Sequence, residues 1–181
     1  GKRLETMALR LLDIIVTRRK EIDRKTTNVS GIFSYLQEIY DETKNPEDGR
    51  VKVNICWEEG ELYAEENLLK TVLINLTDNA IKASEEGQTV EITGRRMENG
   101  YYFQVRDEGI GIPEEELYKI TEAFYMVDKS RSRAHNGAGL GLALCTAILE
   151  LHHSRLKIES TQGLGSCMSF LIPDEGVKTD E

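Results

Sequence analysis

Apolar residues recur along this chain at two periods, and the alternation between them lays out its elements. Leu4, Met7, Leu11, Leu12 and Ile15 follow helical spacing, and Arg18, Arg19 and Lys20 close the run with positive charge where a helix dipole favours it. The pattern predicts an N-terminal helix over 4–20, a short segment over 22–28 and a second helix over 30–43, ending before Asn45-Pro46-Glu47-Asp48-Gly49. Val51, Val53 and Ile55 then alternate as a strand. A longer helix is predicted over 65–85, closed by Gly87, and strands over 89–97 and 101–106 are joined by the hairpin signal Asn99-Gly100. A loop, a short helix from about residue 114, a basic segment and a helix over 139–152 lead to strands over 156–160 and 166–172. Helices and strands are intermixed, with hairpins among the strands. That order predicts an α+β sandwich, one sheet covered by helices, rather than a parallel βαβ series.

The helix over 65–85 carries the most informative pattern. Asn75, Asp78, Asn79 and Lys82 lie at i, i+3, i+4 and i+7 and share one face. Leu69, Val72, Leu73, Leu76, Ala80 and Ala83 share another, roughly 120° round by the helical period. A flank that merely faces water usually carries Glu, Lys and Gln, whereas Asn and Asp are poor helix formers. Two amides, a carboxylate and an ammonium suit a metal-phosphate site. Asn75-Leu76-Thr77 and Asn28-Val29-Ser30 also match the glycosylation acceptor pattern, but nothing in the sequence supports the secreted surface loop this needs.

At 181 residues the chain suits one domain with a core that needs no staples. Cys56, Cys145 and Cys167 are odd in number and unpaired in spacing, and read as reduced core residues of a cytosolic protein. No run of about 18 apolar residues and no signal peptide is present, which is compatible with a membrane-anchored parent. The net charge of -9 argues against broad nucleic-acid binding, so a phosphate ligand has to be met by local cations. Lys129-Ser130-Arg131-Ser132-Arg133 supplies three of them within five residues, although such a cluster alone equally describes a solvated loop.

Two further segments carry chemistry. The inward parity of Phe103 and Val105 continues to Asp107, whose carboxylate needs a donor there. Gly109 and Gly111, in Glu108-Gly109-Ile110-Gly111-Ile112-Pro113, let the backbone turn sharply and approach a flat ligand. The segment admits a second reading, a strand-to-helix turn with Asp107 capping backbone amides. Gly137-Ala138-Gly139-Leu140-Gly141-Leu142 runs into an apolar helix, an arrangement that offers backbone N–H groups to phosphate oxygens. It is not a Walker A loop, since no Lys-Ser or Lys-Thr follows, and it lacks the dinucleotide fingerprint. The protein-kinase signature set is absent as well.

In this order the segments resemble the GHKL ATPase superfamily, specifically the catalytic ATP-binding domain of bacterial sensor histidine kinases. Residues 75–82 resemble its N box, 107–111 its first glycine box, Glu122-Ala123-Phe124 its F box and 137–141 its second glycine box. The resemblance spans about 26–173 and implies the two-layer sandwich of that family, with a mixed sheet. It implies that Asn79 holds Mg²⁺ with help from Asn75, that Lys82 meets phosphate, and that Asp107 and the Gly109–Gly111 turn receive the adenine of ATP. Gly137, Gly139, Leu140 and Gly141 would cradle the phosphates, Lys129, Arg131 and Arg133 would belong to a lid over ATP, and Phe124 would anchor that lid. The relatives that hydrolyse ATP have a Glu at the position of Asn75, so its absence implies phosphoryl transfer to a protein histidine. The family's acceptor His is followed by an acidic residue, which fits none of His135, His152 and His153.

The implied organisation is a dimerisation-helix tail over 1–20, a catalytic domain over 21–175 and a tail over 176–181. The implied partners are the protein's own dimerisation domain, which bears the acceptor and lies outside this chain, and a response regulator. The parent would be a homodimer anchored in the bacterial inner membrane, with this domain in the cytoplasm. His152-His153-Ser154 stands where the family has glycine, and is expected to alter a turn and leave the site intact. Two other readings stay open: an anti-sigma-factor-like serine kinase of the same superfamily, against which the N-terminal helix speaks, and a non-catalytic module whose docking depends on nucleotide.

Overall fold

The computed structural model describes residues 22–41, 51–120 and 141–177. The helix predicted over 4–20, the turn cluster over 45–49, the basic segment and residues 178–181 lie outside them. The elements are β1 (Lys25–Asn28), α1 (Ser30–Ile39), β2 (Lys52–Trp57), β3 (Glu61–Ala64), α2 (Glu66–Ala83), β4 (Thr89–Arg96), β5 (Gly100–Asp107), a 3-10 turn (Glu114–Glu116), α3 (Gly141–Leu151), β6 (Lys157–Thr161) and β7 (Gly165–Pro173). Five strands form one sheet in the order β2-β4-β5-β7-β6. Only β2 and β4 run parallel, their connection carrying α2 across the sheet. The sheet is therefore mixed and the class α+β.

Alternation along the strands decides which face the helices cover. Val90, Ile92 and Gly94 of β4 and Tyr101, Phe103, Val105 and Asp107 of β5 are buried, whereas Glu91, Arg95 and Arg106 between them are exposed. Against that inner face pack Ile32, Phe33 and Leu36 of α1, Leu69, Val72, Leu73, Leu76 and Ala80 of α2, and Leu144, Ile148 and Leu149 of α3. Phe33 stacks on Trp57 at 5.1 Å and on Phe103 at 5.7 Å between ring centroids, and Phe103 stacks on Phe170 at 5.0 Å. Gly94 makes room for them, because a Cβ there would overlap the Phe33 ring and the Tyr101 hydroxyl.

Several elements differ from what the pattern predicts. The segment over 22–28 contains β1, which pairs antiparallel with the four-residue β3 in a ladder apart from the main sheet. Its sequence, Lys-Thr-Thr-Asn, has no apolar residue, so only the partner strand makes it a strand. The hairpin between β4 and β5 forms, but Gly100 is needed for another reason. A Cβ there would strike the Ile172 carbonyl of β7, so the glycine answers strand packing. The short helix after Pro113 is a single 3-10 turn.

The turn at His152 and His153 keeps a glycine-like backbone and adds side-chain bonds. His153 adopts a left-handed φ of 56°, the conformation glycine takes without steric cost. His152 is buried at the end of α3, where its Nδ1 donates to the Ile148 carbonyl at 2.8 Å and its Nε2 accepts from the Glu65 N–H at 3.1 Å. Glu65 caps α2 through its carboxylate, which accepts from the Asn67 and Leu68 N–H groups at 3.3 and 2.9 Å. The ring thus ties the end of α3 to the start of α2 and needs to be neutral to do so. Burial holds its pKa below the ordinary histidine value; the hydrogen bond to Ile148 and the nearby Glu65 oppose this, and Arg24 and His153 act with it. The unfolded chain takes up this proton first as pH falls, so the contribution is complete above about pH 6.5 and is lost below it. Urea unfolding is expected to show stability falling as pH drops below about 6.5, with His152→Gln flattening that slope; equal slopes would assign it to other groups.

Candidate functional site

The polar flank of α2 faces the start of α3. Asn75, Asp78 and Asn79 are half-buried and Lys82 is exposed. An ideal Cβ at Gly141 would sit 3.5 Å from Asn75 Oδ1 and 3.8 Å from Asn79 Nδ2, so the first residue of α3 lies directly against both amides. Gly141 and Cys145 are four apart on one face, and Cys145 Sγ lies 3.7 Å from the Val72 carbonyl oxygen. The first turn of α3 holds no acidic residue, which leaves its positive dipole end uncompensated by side chains of that turn. Asn75 is held by donating from Nδ2 to the Thr71 carbonyl at 3.0 Å, with its oxygen toward α3.

Asp78 does something else. Its carboxylate accepts from the Tyr40 hydroxyl at 2.8 Å, a bond that joins α1 to α2. The second polar position of the helix therefore serves helix packing, where the spacing groups it with the metal-phosphate chemistry.

At the C-terminal end of α2 lies the Asp107 loop. Asp107 is the last residue of β5 and only 8% exposed. Its Oδ1 accepts from the Gly109 N–H at 2.9 Å, and the Ser166 N–H of β7 also donates to the carboxylate. Burial pushes its pKa above the ordinary carboxylate value, while those two amides pull the other way. The loop beyond is pinned on both sides. Ile110 N–H donates to the Ala83 carbonyl of α2 at 3.1 Å, and Gly163 N–H, from the β6–β7 turn, donates to the Ile110 carbonyl at 2.7 Å. Both loop glycines are accounted for by backbone contacts. A Cβ at Gly109 would overlap the Ala83 carbonyl, and one at Gly111, whose φ is +68°, would overlap the Thr161 carbonyl. The capping of an amide by Asp107 is present, so the turn reading of this segment holds; a carboxylate with about four lone-pair directions retains acceptor capacity beyond two N–H groups.

Register adds two residues that the sequence pattern does not single out. Asp107 of β5 pairs with Ser166 of β7, which pairs with Ser160 of β6, so the three side chains form a row on one face. Ser160 Oγ accepts from the Ile112 N–H at 2.8 Å, lies 2.7 Å from Ser166 Oγ and 3.0 Å from the Gly165 carbonyl oxygen. The signal for this row is the pairing of β5 with β7 and of β7 with β6, which no local pattern contains.

Among the expected site residues, Asn75, Asn79 and Gly141 thus meet at one place, and Lys82, Asp107, Gly109 and Gly111 belong to the segments that meet at the other end of α2. Phe124, Lys129, Arg131, Arg133, Gly137, Gly139 and Leu140 lie outside the described residues. Among the described residues no group of three or more His, Cys, Asp or Glu could hold a metal ion. A cation at the Asn75–Asn79 end would need most of its oxygen ligands from a bound molecule.

Residues 64–176 match the family model described as histidine kinase-, DNA gyrase B-, and HSP90-like ATPase. The phosphate regulon sensor protein PhoR of Haemophilus influenzae is 42% identical over 112 residues, 62% of this chain and 26% of that protein. The sensor histidine kinase WalK of Bacillus subtilis is 36% identical over 125 residues, 67% of this chain and 20% of that protein. The chain spans about a quarter or less of the length of these relatives. The nucleotide-free catalytic domain of the histidine kinase ThkA superposes with a TM-score of 0.71 at 26% identity, covering 84% of this chain and 97% of that one. ThkA in complex with the response regulator protein TrrA gives 0.69 at 26% identity, covering 96% of this chain and 48% of that one.

Proposed function

The chain belongs to the histidine kinase-, DNA gyrase B- and HSP90-like ATPase family, and we propose that it is the ATP-binding catalytic domain of a sensor histidine kinase. The observation that carries this reading is the convergence on α2: Asn75 and Asn79 face the first turn of α3, and the Asp107 loop docks on Ala83 about 12 Å along the helix, at 1.5 Å per residue. A nucleoside triphosphate laid along that flank has its base beside Asp107 and its phosphates toward the positive end of α3.

In this reading Asp107 accepts from the adenine amino group, and a donor there relieves a carboxylate that burial disfavours in its charged form. Gly109 and Gly111 hold the loop that forms the wall of the base site. Asn79, helped by Asn75, would hold a Mg²⁺ that supplies charge neutralisation at the phosphates, and Lys82 would meet phosphate; neutral amides would suffice because the nucleotide carries the compensating charge. Gly137, Gly139, Leu140 and Gly141 offer backbone amides to phosphate, Lys129, Arg131 and Arg133 supply the lid's positive charge, and Phe124 anchors the lid by packing. These last assignments rest on order in the sequence.

Position 75 carries an amide, which cannot take a proton from water. That favours transfer over hydrolysis: the bond from the γ-phosphorus to the bridging oxygen breaks, one to an acceptor imidazole nitrogen forms, and ADP leaves, with catalysis by positioning and charge. The acceptor belongs to a dimerisation domain outside this chain, because His152 is buried with both ring nitrogens engaged and no histidine here is followed by an acidic residue. Residues 1–20 are the tail of a dimerisation helix, 21–175 the catalytic domain and 176–181 a tail. Phosphate then passes to a response-regulator aspartate, a relay supported by the likeness to ThkA, solved with a response regulator. The parent is a homodimer held at the inner membrane with this domain in the cytoplasm; no helix among the described residues is long and apolar enough to cross a membrane.

Calorimetric titration of ATP, first with Mg²⁺ and then with EDTA, tests the reading: binding that weakens without metal supports it, and absence of binding to the folded chain contradicts it. Asp107→Asn is expected to lower ATP affinity by about 10- to 100-fold, the size of a charged hydrogen bond, while the unfolding midpoint shows the fold retained; unchanged affinity would remove Asp107 from the base site. Asn79→Ala is expected to abolish the difference between Mg²⁺ and EDTA, and an undiminished metal response would place the ion elsewhere.

A further inference from the structure

Ser160 lies at the far end of the row Asp107, Ser166, Ser160, one residue removed from the carboxylate, and its hydroxyl touches both features that shape the surroundings of Asp107. It accepts from the Ile112 N–H, which ends the glycine loop, and it lies 2.7 Å from the Ser166 hydroxyl, whose own backbone N–H donates to Asp107. A hydroxyl has one proton and two lone pairs. If Ser160 donates to the Gly165 carbonyl at 3.0 Å, it can accept from both Ile112 N–H and Ser166 O–H, and all three bonds are made. If it donates to Ser166 instead, the Gly165 carbonyl loses this bond. The first arrangement satisfies more of these half-buried and buried groups and is favoured on that count. It points the Ser166 proton away from Asp107, so that the Ser166 oxygen and the carboxylate both present lone pairs.

We infer that Ser160 is a positioning residue for base selection: by holding the Ser166 proton and the Ile112 amide it keeps the row an all-acceptor surface, which suits the two N–H donors of a 6-amino purine and opposes the carbonyl oxygen of a 6-oxo purine. This rests on the reading that Asp107 meets the base. Removing the Ser160 hydroxyl frees the Ser166 proton to turn and donate to a 6-oxo group, and releases Ile112. The consequence falls on discrimination more than on affinity.

The test uses the whole 181-residue chain, with ATP and ITP, which differ at the 6-position of the base. Wild-type protein that binds neither nucleotide contradicts the ATP-binding reading itself, before any variant is made. Wild-type protein that binds both equally leaves that reading standing and overturns the role of Ser160. Given a wild-type preference for ATP, Ser160→Ala is expected to weaken ATP about fivefold, the size of one neutral hydrogen bond, and to narrow the ATP-to-ITP ratio by at least as much. Ser160→Thr, which keeps the hydroxyl, restores the ratio. Ser166→Ala narrows the ratio alone, and the double variant with Ser160→Ala narrows it no further, because both act through one proton. Loss of ATP and ITP affinity in equal proportion, or a ratio unmoved in Ser160→Ala, overturns the proposal. If Ser160→Ala does not fold, the ratio in Ser160→Cys, which keeps the side-chain volume and replaces the hydroxyl by a weak acceptor, decides in the same way.

Discussion

Asp107 carries a carboxylate into the layer between sheet and helices, and much of the local architecture follows from keeping it there. Strand parity turns it inward, and burial opposes its charge. Two backbone N–H groups meet it, from Gly109 and Ser166, and each requires backbone to come close. Gly165 lacks a Cβ where β7 passes the Asp107 and Glu108 backbone, and Gly109 lacks one where the loop lands on the Ala83 carbonyl of α2. The carboxylate thus joins sheet, loop and helix at one point. The raised pKa says that two amides leave part of the desolvation uncompensated, which is the condition under which a ligand donor gains most.

The second determinant is the spacing of α2 and α3. At one end Gly141 lies against Asn75 and Asn79 and Cys145 against the Val72 carbonyl, which sets the positive end of α3 beside the amide flank. At the other end His152 bridges Ile148 to Glu65, and Glu65 in turn caps α2. The helices are therefore fixed relative to one another at both termini. The proposed site, made from side chains of one helix and the backbone of the other, depends on that rigidity, since an error of about 1 Å at reacting groups is expensive.

What could be read from the sequence was periodic or local. The apolar stripe and polar flank of α2, the alternation in β2, β4 and β5 and the inward parity of Asp107 are properties of single segments, and each reappears in the structure. The α+β class followed from their order. What escaped the reading depends on partners distant in sequence. Lys25–Asn28 is a strand only because Glu61–Ala64 lies beside it. Gly100 answers a carbonyl 72 positions later in the chain (172 − 100), and Asp78 answers Tyr40 from another helix. The Ser160–Ser166 pair exists only once β6, β7 and β5 are in register. The glycines of the Asp107 loop read, in the sequence, as leaving room for a ligand; in the structure the backbone of Ala83 and Thr161 occupies the places of their Cβ atoms.

The most direct test of the account is an NMR titration of the labelled chain with Mg²⁺-ADP, following backbone amides and aspartate carboxyl carbons. The amides of Gly109, Ile110 and Ile112, the side-chain amide of Asn79 and the carboxyl carbon of Asp107 are expected to shift together along one binding curve, while the outward-facing residues Lys52 and Asn54 of β2 stay still. Saturable shifts that leave Asp107 and its loop unmoved would contradict it, because the base would then bind somewhere other than the buried carboxylate around which the site is built.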